Sequence, residues 1–296
     1  MRFLKTLLAA SLIVATPACA QPAPGAVKDV DPALWVAKDK DTTIYLFGTI
    51  HALKPGLGWF DEAVRKAFDA SDSLVLEIPM PSREEAQKVI LPLAIDPTGP
   101  TLTEKIPAAK RPAYLAGLAK LGVQPSAFDR FEPWFAGATV GQIELQKSGF
   151  GREDGVEKQL DAAAKAAGKP VTGLETLGQQ LGYFHDLPQD AQVSFLLSGI
   201  EDIDTFPAEI NKMVDLWGKG DADGLGRMMN EDLTKQPVLR QVLLYDRNAR
   251  WADWIAKRMD QPGTVFIAVG AGHLAGAGSV QALLAKKHIT VTRIRY

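Results

Sequence analysis

Two histidines stand in the same short frame near opposite ends of the chain: Gly48-Thr49-Ile50-His51 and Gly270-Ala271-Gly272-His273. Two glutamates, Glu77 and Glu175, each follow a short apolar run. A neutral imidazole is a common metal ligand, and two histidines plus a carboxylate with one open position is a hydrolytic zinc arrangement. On that chemistry His51 and His273 are expected metal ligands, and one of Glu77 and Glu175 is a further ligand and the other a general base, deprotonating an attacking water. Arg247 can clamp a substrate carboxylate or a developing oxyanion. Plainer roles stand beside these. A histidine after a glycine can cap a loop, either glutamate can form a structural ion pair with Arg247 or Lys169, and Asp246 or Asp253 can occupy Arg247.

The elements that must carry these residues follow from the apolar pattern. Ile44 to Phe47 and Val265 to Val269 are β-favouring runs stopped by glycine, which reads as buried strands breaking into loops. Leu34–Ala37, the turn-like 38–41 and Thr43–Phe47 predict a hairpin. Ser73–Leu76 and Pro170–Leu174 predict strands running into Glu77 and Glu175, and Ile289–Ile294 a last strand. Helical spacing covers 60–70 with Asp61 as cap, 83–95, 108–121, 132–147, 155–167 with Asp154 as cap, 208–219, 242–258 and 279–287. The fold class expected is therefore α/β. A central sheet places a site at its strand ends, where loops diverge and side chains converge, and large helical insertions at about 82–168 and 177–260 form a cap. Trp251 and Trp254 read as core. His185 and His288 lack a strand-end setting. The glycines around His273 do not make a dinucleotide loop, because they lie in the last strand–helix unit and no acidic residue follows at the needed distance.

Residues 1–20 read as a signal peptide: Arg2 and Lys5, then an apolar 7–14, then Ala18-Cys19-Ala20 before Gln21. The expectation is an exported, periplasmic protein with a mobile leader at 21–32 and one domain from 33 to 296. Cys19, the only cysteine, offers the alternative of a lipid anchor, although Thr16 and Pro17 depart from a lipobox. With no other cysteine, disulfides and thiolate metal sites are excluded from the folded part. The net charge of −2 becomes −4 once Arg2 and Lys5 are removed, and no basic block offers a footprint for nucleic acid. No stretch approaches the ~20 apolar residues of a membrane-spanning helix.

Five blocks, in order, resemble those of the TraB/GumN family, which includes the TIKI metalloproteases: Tyr45 to His51, Leu74 to Glu77, Gly155-Val156-Glu157 through Gly173-Leu174-Glu175, Asp246-Arg247-Asn248, and Val269 to Leu274. The resemblance implies an α/β core whose paired histidine motifs and an acidic residue form the active centre. It also implies a divalent metal ion, manganese or cobalt, supporting peptide cleavage. Carried onto this chain, the centre is His51, His273 and Glu77, with Glu175 and Arg247 in matching blocks. Glu157 departs from the aspartate of many relatives. The expected function is an exported metal-dependent hydrolase of peptide or amide bonds, acting on a peptide or small-molecule substrate. Two alternatives stand beside it: a metal-independent histidine/glutamate hydrolase of the esterase type, and a non-catalytic periplasmic protein binding metal, haem or glycan and linked to exopolysaccharide export.

Overall fold

The computed structural model of the protein describes residues 27–233 and 236–296; the expected signal peptide, and the leader up to residue 26, lie outside them. The chain divides into two compact units. One is built from Pro81–Phe150 and Leu177–Ile210, the other from 27–80, Gly151–Thr176 and Asn211–Tyr296.

The second unit holds the sheets. Its strands are β1 (Lys28–Asp29), β2 (Leu34–Lys38), β3 (Thr42–Thr49), β4 (Leu57–Gly58), β5 (Ser73–Leu76), β6 (Val171–Gly173), β7 (Gly263–Gly270) and β8 (Val291–Ile294). Six of them form one sheet in the order β6-β5-β7-β3-β2-β8, and β1 pairs with β4 apart from it. The expected hairpin is present as β2–β3, with Leu34 opposite Phe47. β6, β5, β7 and β3 are mutually parallel, while β2 runs antiparallel to both β3 and β8. Parallel strands are covered on both faces and so read as unbroken apolar runs, which is why β7 is buried from Val265 to Gly270. Ile44, Leu46, Val75, Val265, Ile267 and Val269 pack with Trp251, Ile255 and Leu284 into one core cluster. The α/β class read from the sequence is the fold observed.

The helical unit has its own core. The helices Arg111–Leu121, Pro133–Lys147 and Gln189–Glu201 bring together Tyr114, Leu118, Val140, Leu196 and Ile200. Its first helix, Arg83–Ala94, opens on a capping box between Ser82 and Glu85, which satisfies two otherwise orphaned backbone donors.

Two expected caps differ. Asp61 occupies the N-cap position of Glu62–Asp69, but its side chain makes no capping bond. The helix Val156–Ala166 is capped at Gly155 rather than Asp154, because the chain is docked there: Val156 N–H donates to the Ile50 carbonyl (3.1 Å), and a Cβ at Gly155 would run into the His51 carbonyl oxygen. The helical run expected over 242–258 is two pieces, a π turn at Gln241–Tyr245 and an α-helix from Asp246 to Arg258.

Candidate active site

The four parallel strands end on one edge of the sheet, in the order β6, β5, β7, β3. Glu175 follows β6, Glu77 follows β5, His273 sits in the 3-10 turn Ala271–Leu274 after β7, and His51 follows β3. Neighbouring strands are about 4.8 Å apart, so His51 and Glu175 start roughly 14 Å from each other. Glu77 and His273 fill the interval. The two histidine motifs lie side by side, offset by one residue: Thr49 pairs with Gly270, and a Cβ on Gly48 would lie 3.1 Å from Ala271. Gly48 therefore stands where the end of β3 passes close to the turn that follows β7.

Arg247 joins the inner residues. It projects from the helix Asp246–Arg258 and is buried, as are Glu77, Glu175, Asn248 and His273. Its Nε donates to Glu175 (3.0 Å), and its Nη2 to Glu77 Oε2 (2.6 Å) and Glu175 Oε2 (2.8 Å). Nη1 donates to the Leu243 carbonyl (3.3 Å) and to His273 Nε2 (3.2 Å). The Leu243 carbonyl belongs to the π turn, where Asp246 N–H bonds back to Gln241; such turns recur at functional sites. A guanidinium has five N–H groups, and all five are spent on the protein. The substrate clamp expected of Arg247 is thus replaced by an internal role, holding two buried carboxylates. Trp251 closes the cluster. Its ring lies 4.3 Å from the His273 ring and 4.7 Å from the guanidinium, and its Nε1 donates to Glu175. Trp251 lies in the core, as its sequence setting predicts, and also forms part of the wall of the site.

Glu77 accepts from the backbone N–H of Gly270 with its other oxygen (2.7 Å). Burial presses its pKa upward, but the Arg247 guanidinium, joined by the Gly270 N–H, outweighs it and brings it down to about 2. The same opposition raises Arg247, where burial is outweighed by the two carboxylates. His273 is pushed down to about 3, first by burial and then by Arg247. It is a neutral imidazole at any physiological pH.

His51 is different. Its Nδ1 lies 2.5 Å from Glu157 Oε1, the same oxygen that accepts from the Thr49 hydroxyl. Burial lowers the His51 pKa, but the charge and hydrogen bond of Glu157 outweigh it and the net shift is upward. With the Nδ1 proton held by Glu157, Nε2 carries the lone pair. That atom is buried and has no hydrogen-bond partner among the described residues. Arg152 acts electrostatically on both Glu157 and His51.

The expected metal ligands can be tested against this arrangement. Of the three, His273 Nε2 is engaged by Arg247, and both Glu77 oxygens are engaged by Arg247 and Gly270; only His51 Nε2 is open. No group of three histidine, cysteine, aspartate or glutamate side chains is placed to hold a metal ion among the described residues. A divalent ion between the histidines would also face a guanidinium 3.2 Å from one of its ligands. As arranged, the donor set does not fit a metal shared by His51, His273 and Glu77.

Three contributors escaped the sequence reading. Trp251 follows Asn248 by three residues and Arg247 by four, so it neighbours both on the helix surface, and that spacing is the available signal. Glu157 stood out only as a departure within its block. His185 and His288 lie elsewhere, His185 bonded through Nδ1 to the Leu93 carbonyl and His288 in a left-handed turn with φ 61°.

The fold and the strand-end cluster together define the class. The sequence model of the TraB/PrgY/gumN family matches residues 33–293, and the chain belongs to that family. It is similar to the uncharacterized protein YbaP of Escherichia coli (strain K12), 26% identical over 257 residues, covering 86% of this chain and 92% of that protein. YbaP of Shigella flexneri matches to the same extent. An uncharacterized protein of Treponema pallidum (strain Nichols) is 21% identical over 284 residues, covering 90% of this chain and 84% of its own length. No solved structure matches the chain.

Proposed function

We propose that the protein is a hydrolase of peptide, amide or ester bonds in which His51, backed by Glu157, is the general base. One observation carries the reading: a buried histidine whose Nδ1 is bonded to a carboxylate and whose Nε2 is unspent. This is how a base is held in one tautomer and aimed at the proton it removes. Water entering beside Nε2 gives up its proton there and attacks the scissile carbonyl; the imidazolium, stabilised by Glu157, then returns that proton to the leaving amine or alkoxide as its bond to the carbonyl carbon breaks. A positioned base of this kind contributes about 10²–10⁴-fold to a rate.

Charge supports the same reading. Around His51 the negative charges of Glu157 and Glu77 outweigh the positive charge of Arg152. That field stabilises the imidazolium formed when neutral His51 takes up the proton of water, in keeping with the upward shift of its pKa. Arg247, Glu77, Glu175 and His273 then form a fixed charged wall whose dipoles need no reorganisation during the reaction.

A second reading keeps the divalent ion, manganese, cobalt or zinc. It is favoured by the same carboxylate-bound Nδ1, which is how ligating histidines are oriented, and it requires Arg247 to leave His273. We also propose that the chain is exported through residues 1–20, which intact mass of the secreted protein tests by showing whether Gln21 or a lipidated Cys19 is the first residue. The functional test is turnover of peptide and ester substrates by the full chain and by His51→Ala, with and without EDTA, beside elemental analysis. Turnover that survives EDTA and disappears in His51→Ala is the result expected. Turnover unchanged in His51→Ala removes His51 as the base, and turnover abolished by EDTA with stoichiometric metal establishes the second reading instead.

A further inference from the structure

We infer that the two histidine motifs do different work: the second is a fixed strut that builds the charged wall, and Asn248 is the positioning residue that sets it. The inference builds on the reading of His51 as the working histidine, but its geometry is separate. A chain of hydrogen bonds runs from the Gly278 carbonyl through Asn248 and His273 to Arg247. Asn248 Nδ2 lies 2.8 Å from the Gly278 oxygen. A carbonyl oxygen can only accept, so the amide nitrogen must face it, and Asn248 Oδ1 is left facing His273 Nδ1 at 2.6 Å. An amide oxygen likewise only accepts, so the proton sits on Nδ1 and the lone pair on Nε2. The far end fixes the same answer independently. Arg247 has no acceptor, and its Nη1 lies 3.2 Å from Nε2, so Nε2 must accept. Both ends impose one tautomer and one ring orientation.

The rest of the second motif does the same kind of work. Gly270 N–H holds Glu77 Oε1, while His273 and Glu77 hold two different nitrogens of Arg247. His273 is wholly buried, under Trp251. The first motif is built the other way: Thr49 and His51 both turn to Glu157, and His51 Nε2 is left over. Equivalent frames at neighbouring strand ends thus supply one reactive group and one support for the residues beside it.

The test is a long-range proton–nitrogen spectrum of the full chain labelled with nitrogen-15 histidine. Only four histidines contribute, and His273→Gln assigns the signal. The expected result is a single Nδ1–H tautomer for His273, with its Nδ1 proton far downfield and slow to exchange, and no movement of its nitrogens when Zn²⁺ is added. An Nε2–H tautomer, or a zinc-induced shift of His273, overturns the inference. In Asn248→Ala the Nδ1 proton is expected to move upfield and exchange with water; an unaltered signal removes Asn248 from its role. Should that variant not fold, the wild-type tautomer and the zinc titration decide alone. An inert His51 would leave the His273 spectrum untouched, so failure of the proposed reaction is distinguishable from failure here.

Discussion

Glu157 Oε1 lies 2.5 Å from His51 Nδ1, a carboxylate from the first turn of one helix bonded to an imidazole from the end of a strand. The first turn of Val156–Ala166 is anchored on the motif by the Val156–Ile50 backbone bond, and Gly155 permits the approach. The contact is therefore set by backbone docking, before either side chain chooses a rotamer. It fixes which imidazole nitrogen is free and raises the ring's basicity.

Replacing Glu157 by Gln should leave the fold in place and weaken the base. The loss expected in kcat/KM is at most the roughly 10²–10⁴-fold that a positioned general base contributes. The pH profile adds a sign. Glu157 raises the His51 pKa against burial, so a wild-type acid limb belongs above the ordinary histidine value of 6.5. In Glu157→Gln burial is unopposed by that charge, and the limb moves to lower pH. A pH–rate profile that keeps its acid limb in Glu157→Gln would separate the limb from His51.

Arg247→Met should be among the most destabilising substitutions in the chain. It leaves Glu77 and Glu175 buried without their cation, and breaking a buried pair from one side costs about 3–5 kcal/mol. Urea unfolding reads the loss. Adding Glu77→Gln and Glu175→Gln to Arg247→Met removes the stranded charges and should return part of the stability; a triple variant weaker than the single one would show that packing around the guanidinium outweighs charge.

Much of this framework was legible in the sequence, for reasons that particular residues show. Val265 to Val269 is an unbroken apolar run because β7 lies between two strands and is covered on both faces. Gly48 and Gly270 mark where β3 and β7 come to their ends. Glu77 and Glu175 could be placed because each directly follows such a run. What the sequence did not reveal depends on how a helix is set down on the sheet. Arg247, Asn248 and Trp251 reach the site because the helix Asp246–Arg258 turns that face toward β7. Aspartates at 61 and 154 looked like caps, yet helix entry at Gly155 is decided by contact with His51. Arg247 looked like a substrate clamp because nothing in one dimension shows that all its donors are consumed.

Acid should loosen the fold through Glu77. Its folded pKa, about 2, is below its ordinary value of 4.5. A depressed carboxylate contributes stability that is present above the unfolded value and is lost as pH falls through the folded one. The loss attributable to Glu77 should run from about pH 4.5 down to about 2. Urea midpoints measured across that range should fall more steeply for wild type than for Glu77→Gln. Parallel curves would assign the acid sensitivity to other carboxylates.

Gly48 and Gly155, which permit close approaches at the first motif, should differ in tolerance. At Gly48 an added methyl lies 3.1 Å from Ala271, close enough that its neighbour must yield slightly. At Gly155 the methyl meets the His51 carbonyl oxygen, a backbone atom tied to the strand end. Overpacking of this kind costs about 1–3 kcal/mol, and Gly155→Ala belongs at the upper end, with Gly48→Ala below it. The consequence for chemistry is also unequal. Gly155→Ala pushes the helix start off the His51 loop and pulls Glu157 away from Nδ1, so it should reproduce the lowered acid limb of Glu157→Gln as well as losing stability. Gly48→Ala should lose stability without moving that limb. Thermal unfolding and the pH–rate profile of the two variants measure both effects, and a Gly155→Ala enzyme with a wild-type profile would show that Glu157 keeps its hold on His51 without the docked first turn.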